Sequence, residues 1–246
     1  MRVLIVDDSP TEMHILSTLM EKLGHTVITA NNGEEGVECA LKHVPDLIIS
    51  DVMMPKKDGY ELCNSLKYNS KTSHIPIIML TAKAGQDNKM EGLTQGADAY
   101  LTKPFDSDEL LIRARNLIEA RKKLWDHFKS LDLAMVDELE FSSVDDRFFQ
   151  QVVGVIRNNL DNENLSVEDL AREVGFSRSQ LHRKLKALTD KSANQLITEM
   201  RLKEAKRLLE NKAGSVSEIA YSVGYTNMSY FTKSFKDKFG LLPSKV

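Results

Sequence analysis

Residues 1–12 read MRVLIVDDSPTE, a short apolar run followed at once by two acids and by residues that suit the start of a helix. The run VLIV (3–6) is apolar at every position, as a strand buried on both faces of a sheet must be. Ser9 can cap the following helix, Pro10 suits its first turn, and Glu12 can reach back to the cap. This unit predicts the beginning of a parallel α/β sheet.

The same alternation continues to residue 122. Four further apolar runs, TVIT, LIIS, IIML and AYLT, are separated by segments of helix length. Five strand–helix units at this spacing predict a doubly wound, five-stranded parallel sheet. The predicted strands are 3–6, 26–29, 47–50, 77–80 and 99–102, and the predicted helices are 10–23, 33–43, 59–67, 86–95 and 107–122.

Composition excludes several classes of protein. The chain has 246 residues, of which 41% are hydrophobic and 28% charged, an ordinary globular balance for about two domains. No run of about 18 apolar residues predicts a membrane span, and two cysteines cannot build a disulfide framework. We therefore expect a cytoplasmic protein without membrane insertion. His25, His43 and His74 are predicted to lie on the surface, and Met1 lies so close to the first strand that we expect a complete sequence.

Charge is distributed unevenly along the chain. Residues 1–122 carry 18 acidic and 14 basic side chains, whereas residues 161–246 carry 11 acidic and 15 basic ones. A basic segment in an otherwise acidic protein indicates a polyanionic partner.

Polar side chains follow four of the predicted strands. Asp7 and Asp8 come after the first, Asp51 after the third, Thr81 after the fourth and Lys103 after the fifth. Because the carboxyl ends of parallel strands meet at one edge of a sheet, we expect these five residues to converge. Clustered carboxylates require a cation, and oxygen ligands favour Mg²⁺. A lysine and a hydroxyl beside them can bind phosphoryl oxygens.

Residues 1–122 resemble a response-regulator receiver domain, which has a flavodoxin-like fold. The resemblance rests on the five residues above and on a set of short motifs: Asp51-Val-Met-Met-Pro55, Asp58-Gly59, Thr81-Ala82, Tyr100 and Lys103-Pro104-Phe105. It implies that Asp51 is the phosphoacceptor, a nucleophile that receives the phosphoryl group from a histidine kinase. It also implies a role for each neighbour: Asp7, Asp8, Asp51 and the Met53 carbonyl hold Mg²⁺, Lys103 pairs with the phosphoryl group before a cis bond to Pro104, and Thr81 and Tyr100 form a switch pair.

No glycine or proline occurs from residue 105 to residue 153, so a flexible linker is not predicted there. Instead, apolar residues recur at alternating spacings of 4 and 3, and we expect the fifth helix to continue past residue 122, with a dimeric coiled coil as the alternative. This predicts a domain 1–122, a helical linker 123–146 and a domain 147–246. The stripe is Leu110, Ala114, Leu117, Arg121, Leu124, Phe128 and Leu131.

From Asp145 onward the pattern is helical, with Asp145 or Asp146 as the expected first cap, and it contains an internal repeat. SVEDLAREVGFS (166–177) aligns with SVSEIAYSVGYT (215–226) at an offset of 49, and RKLKALTD (183–190) aligns with KSFKDKFG (233–240) at an offset of 50. In each copy a glycine separates two helical patterns by a short turn. The sequence therefore predicts two helix-turn-helix units within an all-α domain.

In the first copy, Leu181, Leu185 and Leu188 mark the buried face of the second helix, which leaves a polar face outside. In the second copy, Phe231 and Phe235 face inward. Together with the repeat, these residues make 147–246 resemble the AraC/XylS-type DNA-binding domain, although Asp190 stands where that family usually has glycine. The resemblance implies contacts with double-stranded DNA by Ser179, His182, Arg183 and Lys186 in the first copy and by Met228, Ser229, Thr232 and Lys233 in the second.

The two resemblances imply a DNA-binding transcriptional regulator of a two-component phosphorelay, in which phosphorylation of Asp51 alters DNA binding through a homodimer. Three alternatives stay open. One is an enzyme that uses Asp51 as nucleophile, although Met53 stands where a D-x-D arrangement would have its second acid. Another is a constitutive DNA-binding protein whose receiver is a dimerisation scaffold. The third is the C-terminal part of a hybrid sensor kinase.

Overall fold

The computed structural model describes residues 1–82, 96–130 and 143–246, with the backbone alone for 121–130. Its N-terminal part contains one sheet of five parallel strands in the order β2-β1-β3-β4-β5. This confirms the predicted doubly wound sheet, and every predicted strand agrees within one residue at each end. The strands are β1 (Arg2–Val6), β2 (Thr26–Ala30), β3 (Leu47–Asp51), β4 (Ile77–Thr81) and β5 (Ala99–Thr102).

Apolar layers cover both faces of the sheet. Leu4 and Val6 of β1 pack in one cluster, whereas Val3 and Ile5 pack in another on the opposite face. This is why the strands read as continuous apolar runs rather than as alternating ones. The helices of this part are α1 (Pro10–Lys22), α2 (Gly33–His43), α3 (Gly59–Lys67) and α4 (Ser107–Ser130), and the predicted helix 86–95 lies outside the described residues.

Helix α1 begins as predicted, with one exception. The Ser9 hydroxyl accepts a hydrogen bond from the Glu12 backbone N–H at 3.4 Å, and Pro10 occupies the first turn. The Glu12 carboxylate does not close the predicted reciprocal bond to the cap. It contacts the ammonium group of Lys103 instead, because the charge it can pair with lies across the sheet edge rather than in its own turn.

Helix α4 continues to Ser130, which confirms that the fifth predicted helix extends past residue 122. Leu110 and Ala114 are buried in the sheet's apolar layer. Leu131 lies outside the described residues, so the coiled-coil alternative stays a prediction. The chain divides into two units, Met1–His127 and Phe128–Val246, and the predicted bounds 1–122, 123–146 and 147–246 also stay predictions.

The second unit is all-helical. Two short helices are each followed, after a turn, by a 12-residue helix, which gives the two predicted helix-turn-helix units. The turn has one residue more in the second copy, so the inserted residue of the repeat lies there. The helices are α5 (Val144–Asn158), α6 (Val167–Glu173), α7 (Arg178–Thr189), α8 (Ala193–Glu210), α9 (Val216–Ser222) and α10 (Met228–Phe239), before a final 3-10 turn (Pro243–Lys245).

Two sequence predictions are wrong in detail. Ser143, not Asp145 or Asp146, caps α5, because Asp146 supplies the reciprocal bond of a capping box. His74 is only 9% exposed and precedes the buried Ile75, shortly before β4 begins, so it is not a surface residue. None of the helices in the described part of the chain combines the length and apolar character needed to cross a bilayer.

Candidate functional site

The acidic residues predicted at the sheet edge do meet there. Asp7 and Asp8 follow β1, Asp51 ends β3, and each offers a carboxylate oxygen within 4.8 Å of the other two. Asp7 and Asp51 are 1% and 7% exposed, whereas Asp8 faces solvent. A group of hard oxygen donors, two of them buried and one open to solvent, fits a divalent cation such as Mg²⁺.

Burial of the acids has an electrostatic consequence. Burial raises the pKa of Asp7 to about 6, against the lowering effects of the Ser9 N–H and of Lys103, and neighbouring Asp51 and Glu12 raise it further. The Ser9 N–H donates to Asp7 Oδ1 at 2.8 Å, which fixes the orientation of this carboxylate. A bound cation would favour the ionised form of Asp7, so this residue suits a metal ligand.

Lys103 supplies positive charge at the same edge. Its Nζ atom lies 2.8 Å from Asp51 Oδ1 and 3.4 Å from Asp7 Oδ2, and it also contacts Glu12. Burial alone would lower the pKa of Lys103, but its hydrogen bonds to Asp51 and Glu12 raise it above the ordinary value. The ammonium group is therefore charged. The peptide bond between Lys103 and Pro104 is cis, as the receiver resemblance implies.

Close backbone packing holds Asp51 in place. The Gly59 N–H donates to the Val52 carbonyl at 3.0 Å, and a Cβ atom at Gly59 would come within 2.2 Å of the Asp51 carbonyl oxygen. Only glycine permits this approach between the start of α3 and the end of β3. The Asp58-Gly59 motif is visible in the sequence, but the close approach of Gly59 to the Asp51 carbonyl is not. Asp58 caps α3 with a capping box, which fixes the same junction.

The three remaining predicted residues of the receiver site are Thr81, Met53 and Tyr100. Thr81 ends β4 and is half-buried, and Met53 lies two residues after Asp51 with a side chain that is 75% exposed. Tyr100 of β5 is half-buried against the apolar layer that contains Cys63, and burial raises its pKa. The switch role of Thr81 and Tyr100 and the use of the Met53 carbonyl as a ligand stay predictions.

The predicted DNA-contacting residues of the first copy lie on α7. Ser179, His182 and Lys186 are exposed and Arg183 is half-exposed, opposite the fully buried Leu181, Leu185 and Leu188. Ser177 caps α7 with Gln180 in a capping box. Lys186 pairs with Asp190 at 2.6 Å, and Asp190 ends the helix with a left-handed φ of 58°. An exposed polar face at a well-defined helix start is suited to a DNA groove.

The second copy repeats this arrangement on α10. Asn227 caps the helix, Ser229 and Lys233 are exposed, and Thr232 is half-buried. Met228 is half-buried and packs against the second apolar core, so part of its side chain is not available to DNA. Phe231 and Phe235 are fully buried, as predicted.

Sequence reasoning missed a buried cation behind the first helix-turn-helix. Lys184 is 0% exposed, pairs with Asp145 of α5 at 2.7 Å, and lies 4.7 Å from the centre of the Phe148 ring. Its position on the inward face of α7, between Leu181 and Leu185, was the available signal. Asp145, expected as a cap, acts as its counterion.

Comparison with known proteins agrees with this geometry. The family model for a response regulator receiver domain matches residues 3–115, and that for a helix-turn-helix domain matches residues 170–246. Protein PilH of Pseudomonas aeruginosa is 46% identical over 110 residues, which are 45% of this chain and 91% of PilH.

Two further proteins that resemble this chain have names that include a histidine kinase. Histidine kinase P4 of Formosa agariphila is 38% identical over 244 residues, which are 99% of this chain, so the chain spans only 18% of that protein's length. The crystal structure of the receiver domain of a signal transduction histidine kinase from Syntrophus aciditrophicus is 38% identical. It covers 48% of this chain and 90% of its own, with a TM-score of 0.46.

Proposed function

The chain belongs to the response-regulator receiver family and carries a C-terminal helix-turn-helix domain, and we propose that phosphorylation of Asp51 by a histidine kinase controls its binding to double-stranded DNA. One observation carries the proposal: the Asp51 carboxylate lies 2.8 Å from Lys103 Nζ and within 4.8 Å of the Asp7 and Asp8 carboxylate oxygens, all at the carboxyl edge of the sheet. This arrangement offers a nucleophile, a cation for the transferred group and a metal-ligand set together.

The proposed reaction is a phosphoryl transfer to a side-chain oxygen. An Asp51 carboxylate oxygen forms a bond to phosphorus, the bond between phosphorus and the donor histidine nitrogen breaks, and the electron pair stays on that nitrogen. Lys103 moves from Asp51 to the transferred phosphoryl oxygens, and the Thr81 hydroxyl donates to one of them. Asp7, Asp8 and Asp51 would hold Mg²⁺, which would supply positive charge to stabilise the transferred phosphoryl group.

The proposed output is a change in DNA affinity. The exposed faces of α7 and α10 supply the residues that contact the duplex, with Ser179, His182, Arg183 and Lys186 on the first and Met228, Ser229, Thr232 and Lys233 on the second. The net positive charge of residues 161–246 supports a polyanionic partner. We propose a regulator rather than an enzyme, because both matched domains belong to regulatory families.

The test is affinity selection from a random duplex library. The full chain is used with Mg²⁺, with and without beryllofluoride as phosphoryl mimic, and Asp51→Asn is the matched control. We expect the mimic to change the affinity of the wild type for the selected duplex by about tenfold or more, which lies within the usual range of coupling between two sites. Asp51→Asn should not respond. Equal affinity of wild type and Asp51→Asn under phosphorylating conditions would instead favour a constitutive DNA-binding protein.

The alignment with Histidine kinase P4 over 99% of this chain favours a second candidate. In it, the phosphoryl donor is a kinase domain on the same polypeptide, as in a hybrid sensor. Immunoblotting of extracts from the source cells separates the two candidates. A band at 27.8 kDa supports the separate regulator, and a much larger band supports the hybrid.

A further inference from the structure

The helix-turn-helix domain has two apolar cores rather than one. The first is built by α5, α6, α7 and the beginning of α8, and the second by the end of α8 with α9 and α10. On α8, Met200 belongs to the first core and Leu202 to the second, so the cores change over at residue 201. Apolar packing therefore holds one recognition helix, α7, within the first helix-turn-helix unit and the other, α10, within the second. The contacts around residue 201 decide how these two helix-turn-helix units are placed relative to each other.

Arg201 occupies the changeover and bonds to both units. Its Nη2 donates to the Asn162 carbonyl at 2.6 Å, in the loop that enters the first helix-turn-helix. Its Nη1 donates to the Gly224 carbonyl at 3.2 Å, in the turn of the second. The planar, permanently charged guanidinium fixes both distance and angle between its two acceptors.

The units approach each other closely at this point. Gly224 has a φ of 77°, and a Cβ atom there would come within 2.5 Å of the Leu160 carbonyl oxygen and 2.9 Å of Arg201 Cζ. The equivalent glycine of the first copy, Gly175, has a φ of 75° but nothing within 4 Å of its Cβ position. The first glycine serves its turn alone, whereas Gly224 also serves contact between the units.

Glu199 makes a second connection, two residues earlier on α8. Its Oε2 lies 2.5 Å from Lys191 Nζ, just after α7, and its Oε1 lies 2.9 Å from Lys238 Nζ, near the end of α10. The Glu199 side chain is 13% exposed, whereas its partners Lys191 and Lys238 are 27% and 37% exposed, so the carboxylate is largely buried and the two ammonium groups are partly in solvent. One carboxylate thus joins the C-terminal ends of both recognition helices.

We propose that Glu199 and Arg201 are positioning residues that set the distance and angle between the two recognition helices, and through them the spacing of the two DNA subsites that the chain binds together. Neither residue needs to touch a base. The proposal rests on the proposed DNA binding only for its second half, because the distance between α7 and α10 is a property of the protein alone.

The structure offers matched controls on the same helix. Glu204 and Arg207 also lie on α8, and Arg207 donates two hydrogen bonds to Glu204, at 2.8 and 2.6 Å. Glu199→Gln is therefore compared with Glu204→Gln, and Arg201→Lys with Arg207→Lys. The same chemical change is made in each pair. The first member loses a hydrogen bond or ion pair that reaches residues of both helix-turn-helix units, whereas the control loses a pair within α8.

The first experiment measures the protein without DNA. Spin labels are placed on the full chain through Ser179→Cys and Ser229→Cys, with the native thiols removed by Cys39→Ser and Cys63→Ala. Double electron–electron resonance then gives the distribution of distances between α7 and α10. We expect one narrow distribution in the parent and in the two control variants, and a broader or shifted one in Glu199→Gln and Arg201→Lys. Circular dichroism checks that each variant is folded.

The second experiment measures DNA spacing. Duplexes selected by the unlabelled full chain are rebuilt with one base pair inserted between the two subsites. We expect the insertion to weaken wild-type binding at least about tenfold, the cost of one mismatched base pair or more. Glu199→Gln and Arg201→Lys should lose most of this discrimination, whereas Glu204→Gln and Arg207→Lys should keep it.

Each result decides one point. Unchanged distance distributions in folded Glu199→Gln and Arg201→Lys overturn the proposal, and so does loss of folding in both, which would make these contacts general stabilisers. Altered distributions with unchanged spacing discrimination overturn the claim about DNA. If the distributions change as expected but no duplex is selected, the proposed DNA-binding function falls and the positioning role stands.

Discussion

At the residue scale, Lys103 shows how the site balances its charges. Its ammonium group contacts Asp51, Asp7 and Glu12, yet only the two aspartates belong to the predicted acid cluster. Glu12 is 42% exposed at its side chain and draws Lys103 toward α1. Glu12 therefore adds a partly exposed negative charge beside Lys103, outside the predicted acid cluster.

We expect Glu12→Gln to accelerate phosphorylation of Asp51. Removal of one negative charge a few ångströms from the incoming phosphate, and release of Lys103 to Asp51, should raise the rate with acetyl phosphate and Mg²⁺ by about threefold to tenfold. Intact-mass spectrometry over time measures the rate. Glu109→Gln, which removes an acid that pairs with Arg113 outside the site, should leave it unchanged. A slower Glu12→Gln would show that Glu12 assists the reaction instead.

Glu199 gives a stability prediction that depends on pH. Burial alone would raise the pKa of Glu199, but hydrogen bonds from Lys191 and Lys238 lower it below its ordinary value. A lowered carboxylate pKa means that the folded state binds this proton less tightly than the unfolded state does. Its stabilising contribution is complete above the ordinary pKa and is lost as pH falls through the lowered one.

We therefore expect wild type to lose stability more steeply than Glu199→Gln across a pH range that begins above 4.5, the ordinary pKa of glutamate, and extends well below it. Thermal unfolding followed by circular dichroism at successive pH values measures the difference, which should be largest at the upper end of this range. Parallel curves throughout the range would mean that the two lysines do not stabilise the ionised form.

Some of these residues could be predicted from sequence and others could not, for a physical reason. Asp7, Asp51, Thr81 and Lys103 follow strands, and the topology of a parallel sheet brings strand ends together. The Glu12 contact with Lys103 and the Glu199 contacts with two lysines join side chains on different elements. Such pairs depend on tertiary distances that no local pattern contains.

At the element scale, the strands could be predicted almost completely because both faces of the sheet are buried. The start of the first helix could be predicted from Ser9 and Pro10, because the capping residue and the proline that follows it are local signals. The start of α5 was misplaced because Ser143, Asp145 and Asp146 can all cap a helix. The structure uses Ser143 as the cap, and Asp145 pairs with Lys184.

The contact between α5 and α7 gives a prediction for the Lys184–Asp145 pair. Asp145→Ala should destabilise the helical unit by about 3 kcal/mol, because it removes a counterion of the fully buried Lys184 ammonium group. Lys184→Met should change stability by about 1 kcal/mol or less, since the side chain keeps a similar volume against Phe148. Scanning calorimetry of the full chain measures both changes.

The double variant Lys184→Met with Asp145→Ala serves as the control. It should recover most of the stability lost by Asp145→Ala alone, because no buried charge remains. A double variant as unstable as Asp145→Ala would show that Asp145 acts mainly through another contact, and the buried charge would not be the cause.

At the scale of the whole molecule, both resemblances stated from sequence were confirmed by the matched families, and the fold class follows the predicted order of sheet and helices. The order of elements is local information, so a single sequence carries it. The coupling between phosphorylation and DNA binding cannot be predicted in the same way. It depends on how two states of the chain differ, and a sequence pattern describes only one.

We expect phosphorylation to act by dimerisation. Two bound DNA domains on one duplex gain affinity through effective concentration, by about a hundredfold or more, without a new base contact. Sedimentation velocity with and without beryllofluoride and Mg²⁺ should show a shift from monomer to dimer in wild type and none in Asp51→Asn. A monomeric phosphorylated form with raised DNA affinity would contradict the dimer step.

The presence of two apolar cores in the helical unit has a consequence for its local dynamics. The second core is enclosed by the end of α8 with α9 and α10, so these segments can open to solvent while the first core stays closed. Amide protons of α9 and α10 should then exchange with deuterium as one group, separately from those of α5 to α7. Proteases that cleave such transient openings would release the C-terminal half of the helical unit, leaving a shortened chain with only the first helix-turn-helix intact.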